Sequence, residues 1–216
     1  MTQPSFVTFP YGENRDAGPF HDQDDRFSEN YVRHFIDRFT KKNNRVFDPF
    51  AGLGTSMFIA EEMGRIPYGI EADKSRYEWT AGQIEHWQNM ICDDAANVDD
   101  YKLPKMDFMI TSPPFMARDH KWNPLSGGDK AQDGYTRYLE QMEAIFKSMR
   151  SVMKKNAHML IHLDNIHSRV FTPLVWDVGA VISKHFKLED DIIVHWSDKK
   201  SAQSHTHGLL FKNTRL

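Results

Sequence analysis

Cysteine is almost missing from this chain: Cys92 stands alone among 216 residues. One thiol can form no intrachain disulfide and cannot build a cysteine cluster for zinc. Apolar runs are short, and none approaches the about 18 residues that a membrane-spanning helix needs. The opening Met1-Thr2-Gln3-Pro4-Ser5-Phe6 lacks the basic-then-apolar layout of a secretory signal, so a cytoplasmic protein is expected. Internal repeats, low-complexity tracts and long linkers are missing too. Charge of one sign is also scarce, since 27 Lys and Arg face 30 Asp and Glu, for a net charge of −3. A stand-alone nucleic-acid binder is usually basic, because neutralising phosphates supplies most of its affinity. A nucleic-acid role here therefore needs a local basic surface, transient contact or a partner.

What is present is ordinary globular material, 40% hydrophobic and 26% charged, in a chain long enough to bury a sizeable core. Apolar runs alternate with amphipathic segments, the pattern of an α/β sheet protein. Phe27, Tyr31, Val32, Phe35, Ile36 and Phe39 form a 3.6-period stripe over residues 25–40, with Ser28 as cap. Strands are expected at 45–48, 66–71, 90–93, 106–111, 158–163, 191–196 and 208–212. Helices are expected at 55–63, 74–88, 135–154 and 168–185, the last delayed by Pro173. The final two strands have no helix between them, which predicts an antiparallel hairpin closing a mostly parallel sheet. In such sheets ligands bind at the carboxyl ends of the strands, where the strand order reverses.

Four segments fall at those ends. Asp48-Pro49-Phe50-Ala51-Gly52-Leu53-Gly54-Thr55 joins a strand to a helix, where glycines allow close backbone approach and free N–H groups suit an anion. It lacks the third glycine of a dinucleotide fingerprint and the lysine of a phosphate loop. On its own it reads equally as a tight turn. Glu71, directly after the second strand, is placed to accept both ribose hydroxyls of an adenosine, and Asp73 to cap the next helix. Asp93 or Asp94, after the third strand, faces an adenine amino group or belongs to a solvated loop. Ser112-Pro113-Pro114-Phe115 follows the fourth strand directly. Its two prolines fix the backbone and remove two donors, leaving the Ser112 hydroxyl and the Pro113 carbonyl to grip an amino group while Phe115 stacks on its ring; alone the tetrapeptide reads as a rigid turn, and its place after the fourth strand with the other three motifs in order favours the grip.

Together these motifs resemble the S-adenosylmethionine-dependent amino-methyltransferases of nucleobases, with Asp48–Thr55 like the cofactor motif and Ser112–Phe115 like the catalytic motif. In that family Asn or Asp opens the catalytic motif of adenine-N6 enzymes, whereas Ser, often preceded by Thr, is typical of cytosine-N4 enzymes. The likeness runs from about His21 to the end, through Tyr135, Tyr138, Leu139 and the His195-Trp196 to Phe211-Lys212 ending. It implies the seven-stranded, Rossmann-like class I methyltransferase sheet and S-adenosylmethionine as cofactor. Asp48, Phe50, Gly52, Gly54, Thr55, Glu71 and Asp94 would bind the cofactor, and Ser112, Pro113, Pro114 and Phe115 would serve catalysis. No metal is required, although His205 and His207, in a late polar loop, form a conceivable ligand pair.

Two departures qualify the likeness. Many serine-type cytosine-N4 enzymes carry the catalytic motif before the cofactor motif; here the order is reversed. There is also no room for a separate target-recognition domain: residues 1–20 read as an extension and 21–216 as one domain. The insertion 116–134 is either a substrate loop, with Trp122 for stacking, or a cover; its Arg118, Lys121 and Lys130 are matched by Asp119, Asp129 and Asp133. The first expectation is a DNA cytosine-N4 methyltransferase, working with a specificity partner or as a homodimer. The second is an N4-cytidine enzyme acting on ribosomal RNA. A third, a catalytically silent cofactor-binding subunit, is disfavoured by the intact Ser112–Phe115 motif.

Overall fold

The apolar runs become one sheet, eight-stranded among the described residues, in the computed structural model, which describes residues 4–23, 26–199 and 204–214. In chain order the elements are β1 (Phe6–Phe9), α1 (Glu29–Phe39), β2 (Arg45–Asp48), α2 (Thr55–Glu62), β3 (Ile66–Glu71) and α3 (Lys74–Ala81). There follow β4 (Met90–Cys92), β5 (Met106–Thr111), α4 (Tyr135–Met149), β6 (Met153–Leu163), β7 (Ile166–His167), β8 (Phe171–Thr172), α5 (Leu174–Ser183), β9 (Lys187–Trp196) and β10 (His205–Lys212). The sheet order is β1-β9-β10-β6-β5-β2-β3-β4, and β7 and β8 form a separate small hairpin. Strands β4 through β6 run parallel, whereas β10 lies antiparallel to both β6 and β9. This is the expected Rossmann-like sheet of seven strands with one more at its edge. The addition is β1, from the segment read as an extension, which pairs in parallel with β9 from Phe6↔Ile193 to Phe9↔Trp196.

Strand alternation divides the core. Phe108, Ile110 and Leu160 face α1 and α2, with Tyr31, Val32, Phe35 and Ile36 packed against them. Met109, Met159 and Ile161 face the other side, under α4 and α5. Ser28 caps α1 as expected, accepting from the N–H groups of Asn30 and Tyr31, and its hydroxyl donates to the Tyr11 carbonyl at 2.5 Å. Among the described residues, no helix is long and apolar enough to cross a membrane.

Several expected elements have other bounds, among them the helix expected over 168–185, which spans only Leu174–Ser183 after the β7–β8 hairpin. The helix expected over 74–88 stops at Ala81, because the Glu61 carboxylate takes the N–H groups of Glu85 and His86 and turns the chain. The helix expected to reach Lys154 stops at Met149, and Lys154, Lys155 and Asn156 lie in β6. Buried Val152 and Met153 carry the chain into the sheet; Asn156 adopts a left-handed conformation (φ 64°), and the register with β5 slips there. Finally, His205 and His207 are residues of β10 rather than of a loop, with His207 buried and its Nδ1 3.0 Å from Asp191. Among the described residues, no group of three or more His, Cys, Asp or Glu is arranged to hold a metal.

Candidate active site

The strand order reverses between β2 and β5, and a cavity of about 670 Å³ opens there, at the carboxyl ends of β2, β3 and β5. Phe50, Gly52, Thr55, Glu71 and Asp94 line one part of it; Ser112, Pro113, Pro114 and Phe115 line another. Residues about 60 positions apart in sequence therefore line one cavity. Asp48 and Gly54 are not in the lining.

Asp48 sits beneath the cavity, 1% exposed. Its carboxylate accepts from the Phe50 N–H (3.0 Å), the Ser56 hydroxyl (2.5 Å) and the Thr111 hydroxyl (2.6 Å). It thereby ties the glycine turn and α2 to the end of β5, one residue before Ser112. Burial pushes its carboxyl up to about 6, against the pull of those three hydrogen bonds. Gly54 precedes α2 in a left-handed conformation (φ 79°), and a Cβ there would lie 2.4 Å from Thr80 Cγ2.

The Glu71 carboxylate accepts the Gly52 N–H at 2.7 Å and the Asp73 N–H at 2.8 Å. Each oxygen retains a further acceptor position, and Glu71 lines the cavity. Burial holds this carboxyl above its usual range. Asp73 caps α3 through Arg76, as expected. Of the two candidates after β4, Asp94 lines the cavity; Asp93 is taken up by Tyr101, Asn97 and the Asp94 N–H. The Thr55 hydroxyl is buried without a hydrogen-bond partner and belongs to the same wall. A carboxylate held from behind, a glycine cradle and an unpartnered buried hydroxyl fit an adenosyl group carrying an amino acid.

The second wall is rigid for identifiable reasons. The Tyr138 hydroxyl, buried in α4, donates to the Pro114 carbonyl at 3.0 Å. Ser112 Oγ lies 3.0 Å from Nδ1 of His162 on β6. The His162 ring is stacked on Phe115 at 6.2 Å and enclosed by Phe27 and Tyr31. Burial pushes this imidazole down to about 4, so it is neutral at pH 7. Its Nε2 lies 2.9 Å from the Thr206 hydroxyl of β10.

The insertion 116–134 folds around Asn123, whose fully buried side chain donates to the Gln132 carbonyl and to Gln141 Oε1. Asp133, counted above as a neutralising charge, accepts the Asn123 N–H instead. Trp122 is 63% exposed and lines the cavity mouth. Sequence reasoning missed Arg26 and Phe27, which also line the cavity, and missed His162 and Thr206. The signal for His162 was a histidine inside the apolar run Met159-Leu160-Ile161-His162-Leu163; Phe27 stood out only as the first residue of the α1 stripe, and nothing in sequence spacing marks Arg26 or Thr206.

Residues 7–82 match the family model for DNA methylase, of the N6/N4 type. The match takes in the Asp48–Thr55 turn and Glu71 and stops short of Ser112. No curated protein matches the sequence. Among solved structures, TrmN from Thermus thermophilus superposes with a TM-score of 0.61 at 13% identity, covering 87% of this chain and 49% of that one. The chain thus spans about half the length of that protein. A methyltransferase from Pyrococcus furiosus gives 0.58 at 13% identity over 87% and 84% of the two chains. An rRNA methylase from Streptococcus thermophilus gives 0.54 at 10% over 86% and 96%. At such identities the superpositions show the fold, that of class I methyltransferases. The fold is thus one shared with methyltransferases, and residues 7–82 carry a likeness to the DNA methylases. Over that third of the chain the resemblance to the N6/N4 DNA methylases is carried by the family match, which points to S-adenosylmethionine as cofactor.

Proposed function

We propose that the protein transfers a methyl group to an exocyclic amino nitrogen of a nucleobase, N4 of cytosine in DNA. The observation that carries this reading is the acceptor-only wall beside the glycine cradle. Pro113 and Pro114 have no N–H, and the Pro114 carbonyl is occupied by Tyr138, so the Ser112 oxygen and the Pro113 carbonyl are the acceptors that this stretch of the lining offers. Such a wall favours an –NH₂ group over a carbonyl, whose oxygen would find no donor there. Serine rather than Asn or Asp at the head of the motif is the cytosine-N4 form.

S-adenosylmethionine, when bound, supplies a sulfonium methyl already activated for in-line displacement. Glu71 would hold the ribose, the Gly52 turn and Thr55 the amino-acid end, and Asp94 the adenine side. Phe50 forms part of the same wall, while Asp48 and Gly54 act by shaping the turn. Ser112 and Pro113 would bind the two amino hydrogens and turn the nitrogen lone pair toward the methyl, and Phe115 would fix the ring. The amino group is unreachable in a duplex, so the base is flipped or presented single-stranded, with Trp122 in the 116–134 loop as an outer stacking surface. Residues 21–216 serve as one catalytic domain, to whose sheet β1 adds an edge strand. Sequence recognition is assigned to a partner subunit or a second copy of the chain.

The test is methyl transfer from labelled cofactor to single-stranded DNA, duplex DNA and ribosomal RNA, followed by nucleoside analysis. N4-methylcytosine in DNA supports the proposal, whereas label in N4-methylcytidine of RNA moves the substrate to RNA. Ser112→Ala is expected to lower turnover at least about tenfold while leaving cofactor affinity unchanged. Turnover at the wild-type rate would mean that Ser112 does not grip the amino group.

A further inference from the structure

Resting on that reading, we propose that Ser112, His162 and Thr206 form a proton relay: the target amino group passes its surplus proton to the Ser112 oxygen as the Ser112 proton moves to His162 Nδ1. His162 does not line the cavity and acts only through Ser112.

The direction of the relay follows from one hydroxyl. The Thr206 O–H donates to the Leu163 carbonyl at 3.2 Å, and its single proton is thereby used. Its oxygen, 2.9 Å from His162 Nε2, is left to accept, so Nε2 carries the ring proton. Nδ1 is then an acceptor, and the contact with Ser112 at 3.0 Å has the serine hydroxyl donating. With its own proton directed backward, Ser112 Oγ turns its lone pairs toward the cavity. That orientation is the one an amino N–H requires.

The chemistry balances. The N–C bond forms as the C–S bond of the sulfonium donor breaks, and the positive charge passes from sulfur to the amino nitrogen. That nitrogen then holds one proton too many. Release to Ser112, with simultaneous transfer to His162, leaves a neutral methylated amine and an imidazolium. The buried ring is a weak base, held low by desolvation and by the charges of His207 on β10 and Lys199 after β9, and raised by Asp164 after β6. Tyr31 of α1, Phe27 and Phe115 complete its surroundings. A weak base suffices, because an alkylated amino nitrogen conjugated with the base ring is a strong acid. It also stays unprotonated at neutral pH and returns its proton readily once the product leaves.

Two isosteric replacements separate proton acceptance from simple support of the serine. His162→Asn places an acceptor near the position of Nδ1 but cannot take a proton; His162→Asp offers the same shape with a carboxylate. With the wild type active, His162→Asn is expected to lower kcat about a hundredfold with the KM for cofactor unchanged, and His162→Asp to recover most of that loss. An independent readout needs no turnover: ¹⁵N spectra of the free protein should show His162 as the Nε2–H tautomer, and Thr206→Val should release that preference. Wild-type kcat in His162→Asn, equal impairment in both variants, or an Nδ1–H ring in the free protein overturns the relay and leaves amino-methylation standing. A wild-type protein that methylates no nucleobase amino group overturns both.

Discussion

Asp48 and Glu71 belong to the same motif region, yet they do different physical work. Glu71 faces the cavity and is the residue whose loss should be felt by the cofactor. Glu71→Ala is expected to weaken S-adenosylmethionine binding tenfold or more, since each charge-assisted hydrogen bond is worth about 1.5–3 kcal/mol. Calorimetry giving unchanged affinity would remove the ribose role. Asp48 is expected to reveal itself through stability instead. Its folded-state carboxyl lies near 6, above its ordinary 3.8, so between about pH 4 and 6 the folded protein holds this proton where the unfolded chain has lost it. Its contribution to stability is therefore fully present below that window and declines as pH rises through it. Glu71 is shifted in the same direction, so the useful quantity is the difference between wild type and Asp48→Asn. Urea unfolding at pH 4, 5 and 6.5 should show a shallower decline in the variant; parallel slopes would mean the carboxyl titrates normally in the fold.

The βα turn between β2 and α2 is where the cofactor motif becomes geometry. Gly54 is required twice over, by its positive φ and by Thr80, which leaves no room for a Cβ. Gly54→Ala should cost about 1–3 kcal/mol in urea unfolding, and a neutral substitution would show that α3 can move aside. At this scale the sequence was legible wherever a local signal and a buried stripe agreed. Ser28 and the stripe from Tyr31 to Ile36 gave α1, and the turn glycines gave the start of α2. It was misleading where a remote side chain decides. Nothing near Gln83 announces that Glu61 will capture the N–H groups of Glu85 and His86, and Lys154 and Lys155 look like a basic helix end although the buried Val152-Met153 pair has already entered β6. The candidate site divides in the same way. Ser112, Glu71 and the glycine turn lie at strand ends and could be found by position, but His162 meets Ser112 only because β6 pairs beside β5, and Thr206 meets His162 only because β10 is inserted beside β6.

For the whole molecule, the near-balance of charge, −3 in total, limits how much phosphate the surface can neutralise. Anisotropy with a labelled single-stranded oligonucleotide should give modest affinity that falls gently with salt, with a log–log slope smaller in magnitude than roughly 3, as for few phosphate contacts. Tight binding to random duplex DNA that ignores salt would contradict this. The sheet itself has an order of assembly written into it. Strand β10 comes last along residues 4–214 but lies inside the sheet, between β6 and β9, while β1, the first strand, can pair only after β9 exists. During synthesis, then, the glycine turn and the Glu71 strand emerge and can pack long before the sheet closes, and Thr206 reaches His162 only when nearly the whole of it has been made. Released chains ending near residue 197 should therefore be cut readily around β6 and β9 by a protease that spares chains extended through Lys212. Until β10 is threaded into place, the growing chain has the glycine turn, Glu71, Ser112 and His162 but not the Thr206 hydroxyl that orients the imidazole, so the partner that fixes the proposed relay is the last to arrive.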